Sequence, residues 1–238
     1  VVIRVSSKKL VVTKIQGVNF RYRPDTTDSH TIREVFKDKS YRKVKVGFDV
    51  LPGERWLDLG ANIGVFALYC HLAGARVTCY EPDEDNYTLL QRNCPWADCH
   101  MAAVTEHNCH EVDLYHNGDP SNTARHTVMR VRGYKHSRLV PNVWAGLLQG
   151  GWDGVKMDIE GSELGIIDAD LIPPCNKLVL EYHHSRDKSL ANFARRLSRL
   201  RDQFHTVCYR AELDRMMQDG VGCPMLDRMM FCIGRRVT

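Results

Sequence analysis

Three short stretches carry the residue types that could do chemistry: WLDLGANIGVF at 56–66, CYEPD at 79–83 and VKMDIEGSELG at 155–165. LVLEYHHS at 178–185 adds Glu181, His183 and His184. The first is an apolar run that opens into the loop Gly60-Ala61-Asn62-Ile63-Gly64 and turns apolar again, the outline of a strand, a nucleotide-binding turn and a helix. A dinucleotide turn wants a glycine in the middle position so that backbone can approach a pyrophosphate. Here Asn62 stands there, which counts against NAD. Glu81 follows at the tip of the next apolar run, where an acid can accept both hydroxyls of a ribose, in NAD and S-adenosylmethionine alike. Met101-Ala102-Ala103-Val104 is small and apolar, as a slot for adenine requires, with Ala103 at its centre.

These residues need a scaffold that brings them to one edge. From residue 55 onward the chain alternates strand-like and helix-like segments, which implies a parallel sheet with helices on both faces. RWLDLG, RVTCYEP, ADCHMAAV, WDGVKMDIEG and KLVLEYHH read as strands; GVFALYCHLAG, DEDNYTLLQRNC, NVWAGLLQG, SELGIIDAD and SLANFARRLSRL read as helices. EVDLYHNG and HTVMRVRGY read as further strands around the polar loop HNGDPSNTARH, whose Asn117, Asp119, Ser121 and Asn122 could contact a polar ligand. Trp144 and Trp152 flank that edge, as core or as an aromatic platform. FHTVCYRA and RMMFCIGRR close the chain as an antiparallel hairpin at the sheet edge. Before residue 49 come VVIRV, KLVVTKI and VNFRYR, three short strands, and a helix through TIREVFKDK capped by Asp28 or Ser29. The expected division is therefore a β-rich extension at 1–48 and an α/β domain at 49–238. The fold class is α/β, doubly wound and mostly parallel.

Lys+Arg 33 against Asp+Glu 29 gives a net charge of +4, too mild for a dedicated nucleic-acid binder, although Lys37, Lys39, Arg42, Lys43 and Lys45 crowd together. Nine cysteines without a CxxC pair point to unpaired thiols in a reducing, intracellular, cytoplasmic setting. No run approaches the roughly 18 apolar residues of a membrane span, and no signal peptide opens the chain. Val1 in place of Met leaves room for a longer polypeptide.

LDLGANIGVF, CYEPD and VKMDIEGSE together resemble the FkbM family of S-adenosylmethionine-dependent methyltransferases, over roughly residues 30–234. DIEGSE, close to the family's D-[VI]-E-G-x-E signature, is the most specific piece. The resemblance implies the class I methyltransferase fold, a seven-stranded sheet with the last strand antiparallel. It also implies that Asp58, Gly60, Asn62 and Gly64 surround the amino-acid portion of the cofactor and that Glu81 holds its ribose. A sulfonium is already an activated methyl donor, so the protein must align the acceptor and take its proton. Asp158, Glu181 and His183, at the ends of the fourth and fifth strands, are the candidates for this end, with Asp158 also beside the cofactor. His183 is the expected general base. A divalent metal held by Asp158, Glu181 and His183 is a further option. Glu160 and Glu163 divide between the site and capping of the following helix. The implied activity is O-methylation of a sugar, glycan or other small metabolite. Nucleic-acid methylation is the alternative, without the N-P-P-Y or D-P-P-Y tetrapeptide of adenine amino-group methylation.

Overall fold

The computed structural model describes residues 10–183, 186–187, 189–208 and 227–235. The expected strand VVIRV, His184 and Cys223 lie outside the described residues.

Val11–Ile15 (β1) and Val18–Tyr22 (β2) pair antiparallel around Gln16-Gly17, both at positive φ, the geometry of a two-residue hairpin turn. Asp28–Phe36 (α1) follows, with Ile32, Val35 and Phe36 spaced to pack inward on one face. Residues 10–48, set apart by sequence, share one core with the main sheet. Ile15, Phe20, Val35, Tyr41 and Phe48 pack in the same cluster as Trp56, Phe66, Leu89 and Leu90.

The main sheet then builds outward and crosses back. Arg55–Leu59 (β3), Val65–Leu72 (α2), Arg76–Tyr80 (β4), Glu84–Asn93 (α3) and Asp98–His100 (β5) form one half. Ala103–Thr105 (β6), Glu111–His116 (β7), His126–Thr127 (β8) and Lys135–Trp144 (β9) form a separate four-stranded sheet in the order β6-β9-β7-β8. The other half is Trp152–Met157 (β10), Ser162–Asp168 (α4), Cys175–His183 (β11), Leu190–Gln203 (α5), Phe204–Cys208 (β12) and Asp227–Arg235 (β13). The seven-stranded order is β12-β13-β11-β10-β3-β4-β5, with β13 antiparallel to β11 and β12 and the remaining pairs parallel. This is the doubly wound sheet with an antiparallel last strand that the sequence predicts. The chain leaves β3 in one direction and returns on its other side at β10. That switch point opens a crevice at the carboxyl ends of β3 and β10.

Three expectations change. ADCHMAAV is not one strand: it breaks after His100, and Ala103–Thr105 pairs with β9 in the second sheet. NVWAGLLQG is not a helix, because Asn142–Trp144 extend β9 and only Ala145–Leu147 make a 3-10 turn. HTVMRVRGY contributes two strand residues. A continuous apolar run does not by itself choose between helix and strand, and here the partner strand chose.

The two faces of the sheet follow from alternation along β3. Leu57 and Leu59 face the α4–α5 layer, while Trp56 faces the layer of α1, α2 and α3. Asp58 shares the Trp56 face. α5 shows why such helices form: Ser189 caps it by accepting from Asn192 N at 3.2 Å, and Phe193, Leu197 and Leu200 line its buried stripe.

Candidate active site

The crevice holds a cavity of about 360 Å³, floored by the strand ends and roofed by α1 and the loop after β7. Its floor begins at the glycine loop. Gly60 and Ala61 both donate backbone N–H to Tyr80 O at 3.0 Å, which ties β3 to β4 where the chain turns. Gly60 has φ 79°, and a Cβ there would run into the Asp158 carbonyl, so only glycine fits. Gly64 starts α2 at φ 90° against Leu90 and Cys94. Asn62, at φ 50°, takes a left-handed conformation that asparagine tolerates, and its Oδ1 accepts from Ile63 N at 2.7 Å.

Glu81 is the best-built group of the site. It is buried, yet lines the cavity, and each carboxylate oxygen accepts one backbone N–H: Oε2 from Asn62 at 2.8 Å, Oε1 from Asp83 at 2.9 Å. Burial and the neighbouring Asp83 push its pKa up to about 7, against the pull of those two donors. Beside it Ala102, Ala103, Val104 and Leu114 make an apolar wall of the same cavity.

Asp58 does not reach the cavity, contrary to expectation. It is fully buried, and Lys156 Nζ lies 3.2 Å from its Oδ1. The two residues face each other across adjacent parallel strands, in register. A carboxylate in that position must have a counter-charge, and Lys156 is the cation placed to supply it. Lys156 Nζ also donates to Gly60 O at 2.6 Å and lies 3.7 Å from Asp158 Oδ2. Burial works against its charge, but Asp58 and Asp158 outweigh burial and raise its pKa. The sequence alone assigns Lys156 no role in the site. Its signal was a lysine between Val155 and Met157 in an otherwise apolar strand.

At the reactive end Asp158 and Glu181 both line the cavity. Tyr41 donates its hydroxyl to Asp158 Oδ2 at 3.3 Å. Burial, then Asp158, push the Glu181 pKa up to about 8. His183 is buried and is not part of the cavity lining. Its Nδ1 lies 2.9 Å from Glu163 Oε1, which also accepts the His183 backbone N–H at 3.0 Å. Its other nitrogen, Nε2, sits 3.5 Å from Glu160 Oε2. Burial disfavours the charged ring, but Glu163 and Glu160 together raise its pKa well above the ordinary value. With Glu163 on one ring nitrogen and Glu160 facing the other, neither nitrogen of His183 is turned to the cavity, where the expected base would have to act.

Glu163, completely buried, is the positioning group that sequence reading left undecided. It holds His183 by two contacts and accepts Gly161 N at 2.8 Å. Glu160 adopts a left-handed φ of 52°, strain that brings its carboxylate to His183 and to Arg186 Nη2 at 3.1 Å. The metal set expected from sequence is rearranged. Donor atoms of Asp158, Glu160 and His183 lie within 4.8 Å of one another, with Glu160 in the place expected of Glu181. Arg186 and His183 already face the Glu160 carboxylate.

The roof is fastened by a buried polar network. Arg23 Nε and Nη2 donate to Asp28 at 2.8 and 2.9 Å, Arg23 Nη2 to Asn86 Oδ1 at 2.6 Å, and Thr123 Oγ1 to Asp28 Oδ1 at 2.6 Å. Of the loop residues singled out by sequence, Asn122 lines the cavity; Asn117, Asp119 and Ser121 do not. Trp144 and Trp152 pack away from it, and Trp152 Nε1 donates to Leu148 O at 3.1 Å. α1 contributes His30, Thr31 and Glu34, and Thr27 precedes it, none of them anticipated from the sequence. No local pattern marks them, because their role depends on α1 folding over the sheet edge.

Comparison with known proteins places the chain. The model of the methyltransferase FkbM domain matches residues 58–205. The 31-O-demethyl-FK506 methyltransferase FkbM of Streptomyces tacrolimicus is 38% identical over 63 residues, 26% of this chain and 24% of that protein. The match thus spans about a quarter of that relative's length. Among solved structures, an S-adenosylmethionine-dependent O-methyltransferase from Thermotoga maritima aligns over 96% of this chain and 78% of its own, at 12% identity and TM-score 0.45. The Pyrococcus abyssi tRNA (uracil-54, C5)-methyltransferase, in complex with S-adenosyl-L-homocysteine, aligns over 96% and 45%, at 12% identity and TM-score 0.44.

Proposed function

The chain belongs to the FkbM methyltransferase family, and from that premise we propose that it moves a methyl group from S-adenosylmethionine to a hydroxyl of a small polar acceptor, a sugar or glycan in chemical class. The observation that carries this reading is Glu81: a carboxylate fixed by two backbone N–H groups, at the edge of an apolar slot, inside one cavity with the Gly60–Gly64 loop.

In this reading Glu81 accepts the ribose hydroxyls, and Ala102, Ala103 and Val104 pack against adenine. The loop at Gly60–Asn62 borders the amino-acid portion, with Gly64 starting the helix behind it. Asp58 acts from below, through Lys156. Bound there, the cofactor supplies a sulfonium methyl that needs no further activation. The chain's task is to hold the acceptor hydroxyl in line and remove its proton as the O–C bond forms and the S–C bond breaks. Asp158 lines the cavity and is the proton acceptor of choice, with Glu181, whose pKa burial raises to about 8, beside it. Glu160, His183 and Glu163 hold the turn after β10 in place. Nucleic acid is the less favoured acceptor, because several carboxylates at the reactive end would repel phosphate. Among the described residues no helix is long and apolar enough to cross a membrane. The eight cysteines described are all free, which supports the cytoplasmic placement expected from their spacing.

Calorimetry tests the reading directly. S-adenosylmethionine should bind with one site and NAD should not; binding of NAD alone would overturn it. Methyl transfer from labelled cofactor to glycans, and to RNA as control, then separates the acceptor classes.

A further inference from the structure

The roof loop ends in a polar ring whose place is set by strand alternation. β8 pairs antiparallel with β7, Tyr115 opposite Thr127 and His116 opposite His126. Successive side chains of a strand point to opposite faces. Thr127 is not part of the cavity lining: its Oγ1 donates to Glu160 O at 2.7 Å and accepts Met129 N at 3.1 Å. His126 and Val128, on the other face, both line the cavity. Val128 packs against the cluster of Ala103, Leu114 and Val140, so His126 stands at the rim of the apolar wall. Its ring makes no hydrogen bond to any described residue. His116 is engaged elsewhere, accepting Gly118 N on Nδ1 at 3.1 Å. Burial holds the His126 pKa below the ordinary value, against the pull of Asp83, so the ring is neutral and carries one N–H. Nδ1 is sealed from solvent without a partner, whereas Nε2 is not sealed in this way. Buried N–H groups without a partner are rarer in folded proteins than under-satisfied acceptors, which places the proton on Nε2, open to the cavity.

We infer that His126 reads the adenine of the cofactor: its Nε2–H donates to a ring nitrogen at the edge of the base, which makes it a specificity-determining residue of the roof. The inference rests on the cofactor reading above, which packs adenine against this wall. Its physical basis is a division of labour common to small-molecule sites. Ala102, Ala103, Val104, Leu114 and Val128 bury a flat base without regard to its polar pattern, and a polar group at the rim supplies the discrimination. Adenine presents ring nitrogens that accept and an exocyclic amine that donates. A neutral imidazole offering an N–H suits the ring nitrogens and not the amine. A base without an acceptor at that point would cover the N–H and leave it unpaired, which is the stronger part of the selection.

Calorimetry on the whole chain tests this with four ligands: S-adenosylhomocysteine and its 1-deaza, 3-deaza and 7-deaza counterparts. Each counterpart replaces one ring nitrogen by C–H and keeps the rest of the molecule. In the unaltered protein one of the three should bind about tenfold more weakly than the parent ligand, and the other two should match it. His126→Phe keeps a flat ring on the wall without the donor. The parent ligand should then bind no better than the sensitive deaza ligand. His126→Gln, whose Nε2 reaches the same place, should restore the difference. Equal affinities for all four ligands in the unaltered protein, or a difference that survives His126→Phe, would overturn the inference while leaving cofactor binding intact. Equal weakening of all four in His126→Phe would also overturn it and assign the ring a packing role. If the unaltered protein bound none of the four, the cofactor reading itself would fall and the inference with it.

Discussion

Lys156 Nζ lies 3.2 Å from Asp58 Oδ1 and donates to the Gly60 carbonyl at 2.6 Å, so one buried cation ties the central strand pair to the turn that shapes the cavity floor. Asp58, expected from the sequence to border the cofactor, is buried and faces Lys156. Four experiments probe this arrangement and its neighbours.

Lys156→Met leaves Asp58 buried without its partner, and should lower unfolding free energy by about 3–5 kcal/mol, the usual cost of an orphaned buried charge. Adding Asp58→Asn to that variant should restore much of the loss. Denaturant unfolding of the two single variants and the double variant reads the coupling. A double variant no more stable than Lys156→Met would show that the pair is not what holds the strands.

Glu81 links pH to both stability and binding. Its pKa stands at about 7 in the folded chain against an ordinary 4.5, so between these values the folded state holds the extra proton. Stability from this group is therefore full below pH 4.5 and declines as pH rises to 7. Ribose recognition needs the ionised form, so cofactor affinity should fall as pH drops below 7, approaching tenfold per unit. Glu81→Gln should bind cofactor more weakly and lose the pH dependence of both affinity and stability between pH 5.5 and 8.5. Thermal unfolding and calorimetry across pH 5.5–8.5 check all three.

His183 should remain an imidazolium through neutral pH because Glu163 and Glu160 flank it. Its ring carbon-bound proton resonance should stay at the charged-form position between pH 6 and 8. In Glu163→Gln, with the larger source of that stabilisation removed, the resonance should titrate toward the neutral form within this range. A wild-type ring that titrates near 6.5 would return His183 to candidacy as the base.

The cluster of Asp158, Glu160 and His183 already has Arg186 and the charged His183 as its cations. Exhaustive treatment with chelator should therefore leave cofactor binding and methyl transfer unchanged. Loss of turnover that manganese restores, with cofactor affinity unaltered, would instead assign a divalent cation to those three donors.

The sequence by itself determined the α/β class with its closing antiparallel hairpin, the strand carrying the glycine loop and the position of Glu81 at the tip of the next strand. Each of these is local or periodic. A glycine at a φ of 79° in the turn, an acid at a strand tip and alternating β and α runs are all written within a few residues. What only the tertiary structure decided was the partner of each charge. Asp58 went to Lys156 across a strand pair, and His183 went to Glu163 on the helix that precedes its strand. Glu34 reached the cavity from α1, a helix that spacing assigned to an extension. A charge in a sheet interior cannot choose solvent, so its role is set by whichever group the fold places within a few ångströms. Nothing along the chain near Asp58 specifies that group, because Lys156 lies nearly a hundred residues away and meets it only when β10 returns beside β3.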